Sequence, residues 1–191
     1  MTGQKRRLLP SELTVRPATV GDQSLLDTFI SNERIAEMAE SGFTASDENT
    51  RTQVLPLIEQ GLIKGWFVEL PGHGALSVQI YAPTGTPGVW SGDTINAPDV
   101  DGLPFRWIGT ACMAVTLDAL FADEEVYRLC GHVAVTNPPS LAMCDRLGFT
   151  REGIAREHMP VGPGRRADAV VMGMLRREWQ GAATLEKLAT A

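Results

Sequence analysis

Arg106-Trp107-Ile108-Gly109-Thr110-Ala111-Cys112-Met113-Ala114-Val115-Thr116-Leu117-Asp118-Ala119-Leu120 is the stretch on which the reading of this chain turns. A basic residue is followed by small residues at its third and fifth following positions, Gly109 and Ala111. A helix then opens with Ile108, Cys112, Val115 and Ala119 on its inward face, at three- and four-residue steps. Small residues there let backbone N–H groups approach a ligand closely. The orphan amides and the positive dipole end of the helix then suit a phosphate or pyrophosphate. Glycine and alanine before a helix are common, so the weight of this loop rests on what stands about thirty residues downstream.

Downstream, Val126 to Thr136 reads as a strand, and Asn137-Pro138-Pro139-Ser140 starts a further helix, with Asn137 as N-cap and Pro138 at the first helical position. That helix turns Leu141, Cys144 and Leu147 inward and stops at Gly148. Phe149 to Met159 and Ala167 to Leu175 read as a closing hairpin, joined by the loop Pro160 to Arg166. Upstream, Leu13 to Ala18 alternates like a strand, and Asp22 is the expected cap of a helix presenting Leu25, Leu26, Phe29 and Ile30. The acidic segment Glu33 to Glu48 separates it from a helical stretch, Asn49 to Gln60, that presents Val54, Leu55 and Ile58 around an interrupting Pro56. Strand-like runs at Gly65 to Leu70 and Ala75 to Ala82 flank the turn Pro71-Gly72-His73-Gly74, and Val89 to Ile95 is a third strand before the Pro- and Gly-containing loop Asn96 to Pro104. The order is one strand, two helices, three strands, helix, strand, helix, two strands. It predicts an α+β domain, with a central, mostly antiparallel mixed sheet flanked by helices. The domain is expected over residues 13–180, between a flexible leader, 1–12, and a flexible tail, 181–191.

At 191 residues, with 43% hydrophobic and 21% charged residues, the chain can bury one full core. Its mean hydropathy of -0.05 argues against global disorder. A net charge of -6 disfavours a nucleic-acid backbone as partner and is compatible with a cationic substrate. No apolar run is long enough to span a bilayer, and the basic run Lys5-Arg6-Arg7 has no hydrophobic region after it, so neither a membrane nor a secretory signal is expected. Cys112, Cys130 and Cys144 are odd in number and widely spaced, which predicts no disulfide framework, no metal site and a reducing cytoplasmic location.

The element order and the phosphate-type loop resemble the GCN5-related N-acetyltransferase superfamily. Arg106, Gly109 and Ala111 fill the defined positions of its loop, Gln/Arg-x-x-Gly-x-Gly/Ala, and Asn137, Ser140 and Leu147-Gly148-Phe149 match its second motif. The runs Arg151 to Arg156 and Asp168 to Trp179, and the opening Leu13 to Asp22, are similar to the branch that acetylates the N-termini of ribosomal proteins. The resemblance spans about residues 13 to 179, and two spaced motifs in the right order make it specific. It implies acetyl-CoA as co-substrate, with Arg106, Trp107, Ile108, Gly109, Thr110, Ala111, Asn137 and Ser140 as cofactor-binding residues. Two features depart from the pattern: Trp107 stands where many relatives have glycine, and Asn96 to Pro104 is longer than the usual approach to the loop.

Acetyl transfer requires a neutral amine, a polarised thioester carbonyl and a proton for the departing thiolate. A backbone N–H on the Val89 to Ile95 strand would polarise the carbonyl. The resemblance makes Ser140 the proton donor; the competing reading is first-turn capping. Where many relatives carry a tyrosine this chain has Cys144, read as a packing residue. At the usual position of the basic glutamate stands Met159, whose neighbours Glu157 and His158 are candidates for the general base, one expected on each face of the strand. Asp93 and His132, on the strands expected to flank the thioester, are the other candidates, although a lone strand histidine is more often structural. An α-amine, with a pKa near ~7.7–8.0, is roughly a tenth to a fifth neutral at pH 7, whereas a lysine amine near ~10.4 is neutral in under ~0.1%. A site without an obvious strong base therefore favours a peptide N-terminus or an amino-acid-like amine as acceptor. In the family the acceptor lies between the first two helices and the last hairpin loop, which pairs Glu33 to Glu48 with Arg165 and Arg166 or leaves both as a solvated surface. The alternatives are a small-molecule amine acetyltransferase, as in antibiotic self-protection or natural-product tailoring, and a non-catalytic acyl-CoA-binding module. A monomer or a homodimer is expected.

Overall fold

Ala111 to Phe121 contains one charged residue, Asp118, so the helix it forms has no polar stripe broad enough to face water and is driven to the middle of the molecule. The computed structural model describes residues 5–31 and 48–187. In chain order, β1 (Arg6–Arg7), β2 (Thr14–Pro17), α1 (Gln23–Ile30) and α2 (Glu48–Glu59) come first. Three strands follow, β3 (Lys64–Leu70), β4 (Gly74–Pro83) and β5 (Val89–Asn96). The two-residue β6 (Phe105–Arg106) leads into α3 (Ile108–Phe121), β7 (Arg128–Ala134) and α4 (Pro138–Leu147). The chain then runs through β8 (Thr150–Pro160), β9 (Arg166–Leu175) and the short α5 (Ala183–Lys187).

Seven strands form one mixed sheet in the order β2-β3-β4-β5-β7-β9-β8. Its neighbours are antiparallel except β5 and β7, which run parallel. That parallel pairing runs only from Val89 opposite Arg128 to Ser91 opposite Cys130. Beyond it β5 stays with β4 as far as Asn96, and β7 stays with β9 as far as Ala134. Each half of the sheet follows its own antiparallel partner and its own twist, so the sheet splits into a wedge at its centre. The result is the α+β domain with a mostly antiparallel sheet that the element order predicts.

One sheet face carries Tyr81, Leu129, Met172 and Met174 against α3 and α4. The other carries Phe67, Val78 and Ile95 against Leu26, Phe29 and Ile30 of α1 and Leu55 of α2. The single inward face expected for α3 gives way to burial nearly all round: Ile108, Thr110 to Ala114, Thr116, Leu117, Leu120 and Phe121 are all buried. The segments expected as flexible ends supply part of that cover. β1 pairs in parallel with β6, and Leu8 is buried among Phe105, Ile108, Ala111 and Cys112. Arg6 is held by Glu12 (Nη1 to Oε2, 2.8 Å), and the Ser11 N–H donates to Glu186 of α5 at 3.0 Å. On the tail side, Asp118 accepts from Trp179 Nε1 (2.7 Å) and from the Ala182 N–H (3.1 Å), and Leu185 packs on the core. From Lys5 to Lys187 these ends are thus part of the domain.

Asp22 stands at the N-cap of α1, but its side chain makes no capping hydrogen bond to that helix. Its carboxylate is gripped by both Arg16 guanidinium nitrogens (2.9 and 2.8 Å) and accepts from the Thr19 N–H, and the Arg16 contact holds its pKa down at about 2.

A polar ladder lies sealed between the sheet and α3. Gln79 accepts from Thr94 Oγ1 (2.7 Å) and from Tyr81 Oη (3.2 Å), and its amide donates to Ser77 Oγ (3.0 Å). Tyr81 Oη also meets Thr116 Oγ1 at 3.0 Å, and Ser77 Oγ donates to the Ile95 carbonyl. Ser77, Gln79 and Thr116 are fully buried, so each member depends on the others for satisfaction. Opposite Tyr81 stands Gly92, where an added Cβ would come within 2.3 Å of the tyrosine ring. This ladder braces the β5 half of the wedge.

Candidate active site

At one end of the wedge β6 turns sharply into α3 through Trp107, whose backbone is left-handed (φ 65°, ψ 27°). A bulky residue seldom adopts that conformation. Three guanidiniums hold its indole: Arg7 of β1 at 4.0 Å from the ring centre, Arg146 of α4 at 4.9 Å and Arg106 at 5.9 Å. The first backbone bond of α3 runs from the Ala111 N–H to the Trp107 carbonyl at 2.9 Å, so the amides of Ile108, Gly109 and Thr110 are the helix's orphan donors. Gly109 sits close between the end of β5 and α4: a Cβ there would lie 3.2 Å from Asn96 Nδ2 and 3.4 Å from Met143 Sδ. Glycine keeps that turn open to a phosphate.

Asn137 caps α4 as its sequence predicts, its side-chain oxygen accepting from the Ser140 N–H at 3.2 Å. The cap is therefore Asn137 and not Ser140, whose half-buried hydroxyl makes no hydrogen bond among the described residues. Cys144 is a core residue, its thiol pushed up to about 11, chiefly by burial. It packs in the core, and burial disfavours its thiolate.

At the other end the register decides which side chains meet. Ser91 and Cys130, the last paired residues, share a sheet face. Two residues further on, Asp93 and His132 are the first side chains on that same face beyond the split, one on each separated strand. It is the face covered by α1 and α2, because Ile95, two residues beyond Asp93, packs on Leu26 and Phe29. Asp93 touches solvent in the open wedge yet has protein on its other sides, and the resulting desolvation pushes its carboxyl above the ordinary carboxylate range. His132 is pushed down from its ordinary value, first by desolvation and then by the nearby charge of His158.

The two histidine rings are stacked, 4.1 Å between centres and 28° apart in plane, although β9 separates their strands. Two features permit it. β9 presents the small Ala167 and Ala169 on that face, and β8 bulges: between Ala155 and Met159 it spends two residues more than β9 does. Glu157 sits in the bulge with a left-handed backbone (φ 49°), its N–H donating to Asp168 Oδ1 at 2.8 Å. The simple alternation expected for Glu157 and His158 is thereby broken, and His158 is delivered to His132. Met159 returns to packing beside Val161 and Ala167. A bulge of two extra residues beside a turn leaves no local periodic signature, which is why the pairing is absent from the linear reading.

Arg165 and Arg166 are exposed, and both are tied to the backbone of the hairpin. Arg165 donates to the Val161 carbonyl (2.9 Å), and Arg166 donates to the carbonyls of Glu157 and His158, both at 2.5 Å. They brace the hairpin and its bulge. The acidic segment expected to face them lies, up to residue 47, outside the described residues.

No protein-family model matches the chain. It is 36% identical over 76 residues to YdaF of Bacillus subtilis (strain 168), a protein named provisionally as a ribosomal N-acetyltransferase; the match covers 40% of this chain and 41% of that relative. Among solved structures, the ribosomal-protein-S5-alanine acetyltransferase of Vibrio fischeri superposes with a TM-score of 0.70 at 17% identity, over 88% of this chain and 96% of that one. The spermidine N-acetyltransferase of Vibrio cholerae, in complex with CoA and spermine, gives 0.73 at 21%, over 88% and 98%. Mycobacterium smegmatis RimJ, in complex with CoA-disulfide, gives 0.73 at 19%, over 93% and 89%. The fold resembled in the sequence is the fold of this chain.

Proposed function

We propose that this chain is an acetyl-CoA-dependent N-acetyltransferase whose acceptor is a primary amine, the α-amine of a peptide or an amino-acid-like molecule. The observation that carries the reading is the split sheet with chemically opposite ends. An open helix N-terminus suited to phosphate stands at one end, and at the other a carboxyl and an imidazole share one sheet face on the two strands that separate. The Gly109 turn, which any side chain would narrow, fits a diphosphate lying on the amides of Ile108, Gly109 and Thr110. Acetyl-CoA supplies the thioester carbonyl to be attacked and the thiolate that leaves.

The remaining steps belong to this chain's own residues. Asp93 attracts a cationic amine into the wedge and orients it. His132, its pKa lowered by partial desolvation and by the nearby charge of His158, accepts the proton that the amine must lose. The unpaired edge of β5 beyond Ser91 offers backbone N–H groups to the developing oxyanion. Ser140 gives a proton to the departing thiolate from the first turn of α4 and takes one back from solvent. Attack is direct, in a ternary complex; burial pushes the thiols of Cys112 and Cys144 up to about 12 and about 11, which disfavours either as an acyl carrier.

A small polyamine is the second reading of the acceptor. The observation in its favour is the acidic balance of the chain together with Asp93 at the gap. No described helix is long and apolar enough to cross a membrane, and the reducing cytoplasm is the proposed compartment.

Calorimetric titration with acetyl-CoA, followed by thiol release over a panel of amines, tests the assignment. Binding and amine-dependent release are expected. Binding with no release on any amine would make the chain an acyl-CoA-binding module, and no binding would defeat the reading.

A further inference from the structure

Among the described residues Glu157 and Trp107 are the non-glycines with a left-handed backbone. Glu157 (φ 49°) lies where the edge strand β8 spends two residues more than β9, on an exposed stretch of chain. Such strain persists only where the surroundings hold it, and it gathers at functional sites. Three hydrogen bonds hold it here. The Glu157 N–H donates to Asp168 Oδ1 at 2.8 Å, and Arg166 donates through Nε to the Glu157 carbonyl and through Nη2 to the His158 carbonyl, both at 2.5 Å. In an extended strand successive carbonyls point to opposite edges, so one guanidinium could not take both. The turn at Glu157 brings them to one side, where the planar fork of an arginine fits the pair. Arg166 opens β9 opposite Pro160, directly beside the bulge. What the bulge produces is the contact of His158 with His132, 4.1 Å between ring centres across the width of β9. Both rings are exposed. A stack of exposed rings is worth no more than the strain of one left-handed residue, so it does not hold the bulge by itself.

We propose that Arg166 is a positioning residue for proton transfer: its fork on the carbonyls of Glu157 and His158 fixes the bulge of β8, which seats the His158 ring against His132 and keeps that imidazole in place to take the proton of the amine. This rests on the reading of His132 as the base and adds the group that sets its surroundings. The other charged or titratable groups on this side of the sheet are Asp93 of β5, Arg128 and Cys130 of β7, and Glu152, Arg156 and Glu157 of β8, while β9 brings Ala167 and Ala169 beneath the rings. Arg128 is engaged by Glu152. Of the helices that cover this face, α1 brings Asp27, bonded to Gln23, and α2 brings Glu59, bonded to the Val20 N–H. His158 is the neighbour whose charge bears on His132, so whatever holds His158 there also sets how His132 titrates.

The test follows the imidazole titration of His132 by NMR in the full chain, its signal assigned by its loss in His132→Ala, beside the pH profile of kcat/KM. Arg166→Lys is the deciding variant, because it keeps the charge and lacks the fork. In Arg166→Lys and Arg166→Ala alike, His132 is expected to titrate nearer its ordinary 6.5, and the acid limb of kcat/KM to move up with it. In both, kcat should fall about tenfold while KM for acetyl-CoA stays within about twofold. In a His158→Ala background, Arg166→Lys should move the titration no further, since the two residues act through one contact. A native titration in Arg166→Lys would overturn the proposal, even with a shift in Arg166→Ala, because charge alone would then be at work. A shift of equal size with and without His158 would overturn it too. If His132→Ala abolishes turnover while Arg166→Lys moves neither titration nor limb, the functional reading stands and the fork falls. If His132→Ala keeps its full rate, the proton path fails, and the role given to Arg166 fails with it.

Discussion

The two ends of the wedge are built in opposite ways. The α3 end is made largely by backbone: a turn, three amides and a glycine that leaves them uncovered, all within one short stretch of chain. The far end is made by side chains from β5, β7 and β8, brought together by the register of a split sheet and by a bulge. Local geometry can be written in local sequence. A meeting of distant strands cannot, since it depends on which strands pair and where pairing stops. The difference predicts that the α3 end fails all at once when one residue is changed, whereas the far end loses function in steps.

The largest effect expected is that of Gly109→Asp. It puts a carboxylate where a diphosphate should lie and crowds Asn96 and Met143, so calorimetric CoA binding should disappear; Gly109→Ala, uncharged, should lose less. Undiminished affinity in Gly109→Asp would remove the functional assignment of the α3 end. Next comes His132→Ala, expected to lower kcat by about 10²-fold or more, with the melting temperature little changed because the ring is exposed. A rate within about threefold of the unmodified chain would take His132 out of the proton path.

Gln79→Leu probes the ladder that braces β5. It leaves the hydroxyls of Ser77, Tyr81 and Thr94 short of a partner in a dry interior, and is expected to cost about 1–3 kcal/mol in denaturant unfolding. A neutral result would mean that the ladder is not needed to hold the split sheet.

Smaller still is the shift expected from His158→Ala. Partial desolvation and then His158 push His132 below its ordinary 6.5, so the acid limb of kcat/KM should lie below that value. Removing His158 should move the limb upward without restoring it fully, because desolvation is the larger cause. The same depression means that the unfolded chain binds the extra proton first. The contribution of His132 to stability is therefore complete above 6.5 and is lost as pH falls through its folded value. An unmoved limb would show that the stacked rings are not coupled. The smallest effect belongs to Trp107→Gly, which relieves about 1 kcal/mol of left-handed backbone yet unseats the guanidiniums. Strain relief and the lost cation–π contacts oppose one another, so denaturant unfolding should shift by less than about 1 kcal/mol.

Much of the fold was legible because its elements are strongly patterned. β3, β4 and β5 lie within a residue or so of their alternating runs, and Asn137 and Gly148 bound α4 as their chemistry requires. The ends of the chain were not legible, because Lys5-Arg6-Arg7 looks like a solvated run until β6 is there to pair with it. The α3 end of the site was read from spacing, except that its arginines from β1 and α4 arrive through tertiary contact. At the far end Asp93 and His132 could be named as residue types on two candidate strands, but only the register places them on one face. The union of His132 with His158 needed both the small residues of β9 and the bulge of β8.

The central claim, an amine acetyltransferase adapted to a weakly basic amine, is tested most directly by competition at neutral pH. The chain is given acetyl-CoA and an equimolar pair of peptides, one with a free N-terminus and no lysine, the other N-terminally blocked with a single lysine, and acetylation is followed by mass spectrometry. The account predicts that the free α-amine is acetylated first and faster. Preferential acetylation of the lysine side chain, or no acetylation of either peptide while acetyl-CoA is bound, would contradict it.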